Sequence, residues 1–232
     1  MNGLIPSFYK SLYEPVVELS TEYLELGLDT ILSDPTLQHI PICSTILGLC
    51  KGVCGIRERW LFKQLVHFTH AFHDGTLSSE QLAKHREQLE RDPKRQEKEL
   101  GRVLLLLQKH TETIQASVLG KFYLAFLKEQ ISWSKFCELA EANQRMFLAD
   151  YEILHRLCEQ PCHEWTLQQD EYYETERLSS LGLAQKASVR GITVAELDGT
   201  KEQRKRIILT SFGEAFCRYD ALDLPAIHAY DL

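Results

Sequence analysis

The chain has 232 residues, 44% of them hydrophobic and 25% charged. It is long enough to bury a core without help from disulfides or metal, and this composition excludes a disordered chain. With 12 Gly and 7 Pro it is neither collagen-like nor low-complexity. The net charge of −7 and a pI near 5.7 oppose a protein whose whole surface binds nucleic acid, while leaving room for a local basic patch.

The periodicity is helical for most of the length. Residues 14–32 carry Val16, Val17, Tyr23, Leu24, Ile31 and Leu32 at amphipathic spacing, and Asp34-Pro35 ends that segment. Pro41 opens a long helical segment over 41–73, which Gly48, Gly52 and Gly55 interrupt. Its second half bears a core stripe of Ile56, Trp60, Leu61, Leu65, Phe68 and Phe72. Ser78 with Gln81 forms a capping-box pattern, and Asp92-Pro93 supplies an N-cap and N1 for the next helix. That helix contains the unbroken apolar run Val103–Leu107, a sign of burial on most sides. Another helix follows over 111–128. Ser132 then caps a last long one carrying Phe136, Leu139, Ala140, Met146, Phe147, Leu154 and Leu157. Val103, Leu104, Leu107, Leu119, Phe122, Phe126, Phe136 and Phe147 are expected in one contiguous core.

After Pro161 the pattern changes. A short polar helix over 169–181 ends at Gly182, a C′ glycine. Two β-prone stretches follow, 183–194 and 206–210, and then a short terminal helix capped by Thr210 or Ser211. The expected fold is mainly α: a multi-helix bundle over 1–160, then a C-terminal subdomain over 161–232 with a winged-helix-like β-hairpin and terminal helix.

Seven Cys, an odd number, sit mostly within apolar helical patterns. The start, MNGLIPSFYKSLYEP, has neither a basic n-region nor a long apolar h-region. Buried free thiols in a reducing cytoplasm are therefore expected. Residues 40–56 are the most apolar window, but with 17 residues, Lys51 inside and three Gly, they suit a buried core helix better than a membrane span. A membrane-perturbing role is the remote alternative.

No nucleophile elbow, phosphate loop, zincin or kinase motif occurs, so no catalytic residue is assigned. His67, His70 and His73 recur every third residue, and His155, Cys158, Cys162 and His163 cluster. Neither set shows the convergent ligand pattern of a closed site, so no metal or cofactor is expected. Lys84–Lys109 mixes charges of both signs at helical spacing, as a solvated face does. The sparser run Lys201, Arg204, Lys205 and Arg206 is opposed by Glu202 alone, and in a hairpin it could touch phosphates of DNA or RNA.

ERLSSLGLA and RIILTSFGEAF, through Leu178, Leu181, Gly182, Leu183, Leu209, Thr210, Gly213 and Phe216, resemble the end of a winged-helix domain, as also found in some bacterial abortive-infection alpha-type proteins. Little room remains between Glu159 and Gln169 for the second helix of a helix-turn-helix. The helix that would read DNA is acidic: Asp170, Glu171, Glu174 and Glu176 stand against Arg177. FHDGTLSSEQ, KELGRVLLLL, LGKFYLAFL and ISWSKFCEL resemble an all-helical family of bacteria and their phages, with a fainter likeness to tellurite-resistance B-type domains. That resemblance implies a helical fold and a bacterial stress or phage-defence setting, and it carries no metal site over to this chain. The expected role is a non-enzymatic protein-interaction component with a protein partner yet to be found. A nucleic-acid-binding regulator using the basic hairpin is the alternative.

Overall fold

The computed structural model describes residues 3–14, 21–24, 30, 33–49, 55–75, 77–160, 164–166, 172–186 and 206–220. It is mainly helical, with a small antiparallel sheet near the C-terminus. Two compact units divide the chain, the first ending at Gln144 and the second beginning at Arg145.

In the first unit, α1 (Leu4–Tyr13) precedes a 3-10 turn (Thr21–Leu24) and the single turn α2 (Pro35–Gln38). Then come α3 (Pro41–Leu49), α4 (Ile56–Asp74), α5 (Ser79–Arg91), α6 (Pro93–Lys109), α7 (Thr113–Leu127) and α8 (Trp133–Gln144). The expected segment over 14–32 lies mostly outside the described residues; its described part holds the 3-10 turn. Sequence periodicity missed α1, whose Phe8, Tyr9, Leu12 and Tyr13 are buried. Pro6 masks it, although a proline in the first turn replaces an N–H that has no intrahelical partner anyway.

The caps form as their side chains dictate. Ser78 Oγ accepts from the Gln81 amide at 3.1 Å, and the Asp92 carboxylate accepts from Lys94 and Arg95 amides at 3.1 Å. α4 and α7 pack most closely, at Gly120, where an added Cβ would lie 2.9 Å from the Phe68 carbonyl oxygen and 3.1 Å from Ala71 Cβ. Phe68, Phe122, Tyr123, Phe136, Val103 and Leu107 fill the core around that crossing. In α3, Ile42, Cys43 and Ile46 are buried, as expected for a core helix.

In the second unit, α9 (Leu148–Glu159) packs on α10 (Tyr172–Ser180) and α11 (Ser211–Asp220). The sheet has three strands, β1 (Glu164–Thr166), β2 (Ala184–Lys186) and β3 (Arg206–Leu209), in the order β1-β3-β2. β2 and β3 are the expected pair, with Ala184 opposite Leu209. β1 adds an edge that three residues, EWT, did not signal; it pairs Glu164 with Ile208. α9 contacts β1 and β3, so this unit begins one helix earlier than the expected boundary near 160. Gly182, at φ +75°, closes α10 with Leu183 N–H to Leu178 C=O at 2.9 Å and Gly182 N–H to Ser179 C=O at 3.0 Å, a Schellman ending.

Three expectations are corrected. The last long helix is two helices, because the ladder stops at Gln144 and restarts at Leu148, where the Asp150 carboxylate accepts the Phe147 amide at 2.8 Å. Phe147, expected in the core, is 56% exposed for the same reason: it precedes α9 rather than lying on a helical stripe. Ile56, at the start of α4, is 86% exposed, one turn before the buried stripe begins at Leu61.

Candidate functional site

The basic run falls largely outside the described residues: Lys201, Arg204 and Lys205 are not described, and Arg206 is placed only by the backbone of β3. The stretch LTSFGEAF over 209–216 has a physical meaning. Thr210 Oγ1 accepts the Gly213 amide at 3.0 Å, the N-cap bond of α11, and Thr210 N–H reaches Leu183 C=O at 3.0 Å. An added Cβ at Gly213 would meet the Leu183 carbonyl oxygen at 2.0 Å. These residues join α11 to the start of β2, and Phe216 is buried. The matched residues thus hold the subdomain together.

The helix in the recognition-helix position of the resemblance, α10, turns its one cation inward. Arg177 Nε lies 3.0 and 3.1 Å from the two carboxylate oxygens of Asp150, which is fully buried. A terminal guanidinium nitrogen adds contacts of 2.8 Å to Asp150 and 3.4 Å to Glu174. The carboxylates hold the guanidinium pKa above its ordinary value. The planar group also stacks over the Phe147 ring, 5.0 Å from its centroid, a cation–π contact. Tyr173, one turn before Arg177 on the same face of α10, is 75% exposed. Exposed Phe147 and Tyr173 with a fixed Arg177 form an aromatic-arginine surface, edged by Glu174, which pairs with Arg177, and by Glu176, which pairs with Lys186 at 2.5 Å. Sequence reasoning missed it because its anchor, Asp150, lies 27 residues from Arg177.

The first unit contains a buried polar cluster. Tyr13 Oη and His85 Nδ1 are 2.7 Å apart, Tyr123 Oη donates to Glu99 Oε1 at 2.7 Å, and His85 Nε2 sits 3.0 Å from the same oxygen. That last approach is off the line of a good hydrogen bond and is an electrostatic contact. Arg95 Nε reaches Glu99 Oε2 at 3.6 Å. Burial raises both tyrosine pKa values well above 10, so both phenols stay protonated and Tyr123 keeps the proton it donates to Glu99. The cluster ties α1, α5, α6 and α7 by polar contacts inside a shell of Phe72 and Phe126, which specifies how those helices pack.

The histidine triplet separates: His67 is buried, while His73 is exposed with Nε2 3.1 Å from the Ser11 carbonyl oxygen. Among the described residues no group of His, Cys, Asp and Glu is arranged to hold a metal ion. Cys158 is bonded to Cys217, joining α9 to α11 across a Cα separation of 6.4 Å. This corrects the expectation of free thiols at those positions, since helix packing brings together cysteines 59 residues apart. Cys43 and Cys137 are free, and Cys50, Cys54, Cys162 and His163 lie outside the described residues. The mixed-charge segment forms the expected surface pairs, among them Arg86–Glu90 and Arg91–Glu87. No helix among the described residues is long and apolar enough to cross a membrane.

Comparison with protein-family models, with curated proteins and with solved structures found no match.

Proposed function

We propose that this protein is a non-enzymatic interaction component that binds a protein partner through Phe147, Tyr173 and Arg177. The carrying observation is the pair of exposed aromatics flanking an arginine that buried Asp150 holds in place. Aromatic residues and Arg are enriched in protein interfaces, and rigid anchors lose little entropy on binding. The acidic rim of Glu174 and Glu176 suits an apolar partner pocket bordered by Lys or Arg. The same acidity opposes phosphates, which favours this reading over the nucleic-acid-binding regulator. The bacterial stress or phage-defence setting rests on the resemblance of residues 56–150 alone.

Site-specific photocrosslinkers at positions 147 and 173, activated in cells, test the reading. A discrete protein adduct at both positions is expected. Adducts to nucleic acid, or no adduct at either position, would contradict it.

A further inference from the structure

The first unit carries an open groove of about 690 Å³ between α1, α6 and α8. We propose that it is a binding site for a small amphipathic molecule, with an aromatic or acyl body and one anionic head group held by Lys98. The volume falls in the range of small-molecule pockets. Ile5 and Pro6 of α1, Leu105 of α6 and Trp133 of α8 form the apolar walls. Leu105 is 43% exposed, an apolar side chain left facing water on an otherwise charged helix face. Gly101 forms the floor. A Cβ there would meet only Ile5 Cδ1, at an ordinary 3.7 Å, so packing does not require glycine, although glycine weakens a helix interior. Its effect is to leave the floor bare.

The polar groups favour one head group. Arg102 is already held by Glu141. Burial raises the Cys137 thiol pKa above its ordinary value, so the thiol faces the groove neutral. Lys98 makes no ion pair among the described residues; α-helical spacing places it beside Gly101 and on the same face as Leu105, two turns away, so it stands at one end of the groove wall. Glu97, at the edge of that face, offsets the long-range field. Recognition therefore comes from direct contact with the Lys98 ammonium rather than from steering.

The test uses the full chain with 1-anilinonaphthalene-8-sulfonate and its uncharged relative N-phenyl-1-naphthylamine. The sulfonate dye is expected to bind once per chain, saturably, to the folded protein. Lys98→Gln should weaken the sulfonate dye by about 2–5-fold, the range of an exposed ion pair, and leave the uncharged dye unchanged. Gly101→Trp, which fills the floor, should weaken both by at least about 10-fold. Leu105→Arg removes a wall from an exposed position and should act likewise, which covers failure of the tryptophan variant to fold. No saturable binding, or full binding to folded Gly101→Trp or Leu105→Arg protein, would overturn the site. Equal loss of both dyes in Lys98→Gln, or no loss of either, would overturn the anionic head group.

Discussion

The guanidinium of Arg177 is locked onto the fully buried carboxylate of Asp150 while its other face covers the ring of Phe147. One side chain thus neutralises an internal charge and stiffens an exposed aromatic. Removing it leaves a buried carboxylate without its counter-ion. Arg177→Met should destabilise the second unit by about 2–3 kcal/mol, below the range for a wholly buried pair because Arg177 is partly solvated. Chemical denaturation followed by a probe in that unit measures this, and an unchanged midpoint would contradict it.

Two glycine-to-alanine substitutions should have opposite signs. At Gly120 the new methyl group enters the contact of α4 with α7, 2.9 Å from the Phe68 carbonyl oxygen, and the cost should be about 1–3 kcal/mol. At Gly101 it meets only an ordinary contact at 3.7 Å, so the gain in helix propensity should stabilise by about 0.5–1 kcal/mol. Paired urea titrations separate the two.

Tyr123→Phe removes the donor to Glu99 Oε1 from a buried carboxylate. A hydrogen bond to a charged group contributes about 1.5–3 kcal/mol, and the loss should appear as a lower midpoint with an unchanged denaturant slope.

Burial pushes the pKa of both His67 and His110 down to about 3; nearby Lys63 and His70 add to the effect at His67, and a backbone hydrogen bond to Leu24 opposes it. A histidine in the unfolded chain titrates near 6.5. Between about pH 6.5 and pH 3 the unfolded state therefore binds protons that the folded state excludes. The stability linked to these residues is full above about pH 6.5 and falls as pH drops, by up to about 1.4 kcal/mol per pH unit for each histidine. Urea midpoints at pH 7, 5.5 and 4.5 should decline less steeply in His67→Leu than in wild type.

Reduction of the Cys158–Cys217 bond removes the covalent tie between α9 and α11. Dithiothreitol should lower the stability of the second unit by about 2–4 kcal/mol. Cys158→Ser should show the same loss without reductant and no further change with it.

Local chemistry made much of the fold legible. Ser78, Asp92 and Gly182 stop or start helices through bonds to residues within one turn or two, so a short window contains the whole signal. What escaped depends on distant partners. The helix break before Phe147 has no Pro or Gly to mark it, and the Asp150 carboxylate that caps the new start also takes Arg177 as its partner from another helix. β1 exists because β3 offers it an edge some forty residues later. Both cysteines of the bond lie on amphipathic helices, where a buried thiol and half of a disulfide look alike. The aromatic-arginine surface was hidden for the same reason: an isolated Phe, Tyr and Arg become a site only when the fold assembles them.

The most direct test of the interaction surface is affinity capture from nuclease-treated native lysate, comparing wild type with two variants. One carries Phe147→Ala and Tyr173→Ala; the other carries Gln at Lys201, Arg204, Lys205 and Arg206. Phe147 and Tyr173 are exposed, and the basic run is a charged hairpin segment by sequence that enters β3 only at Arg206, so both denaturation midpoints should stay within about 0.5 kcal/mol of wild type. A protein partner retained by wild type and by the glutamine variant, and lost from the double-alanine variant, is the predicted result. Partners unaffected by the double-alanine change, together with salt-dependent DNA binding by the wild-type protein that the glutamine variant abolishes, would contradict it.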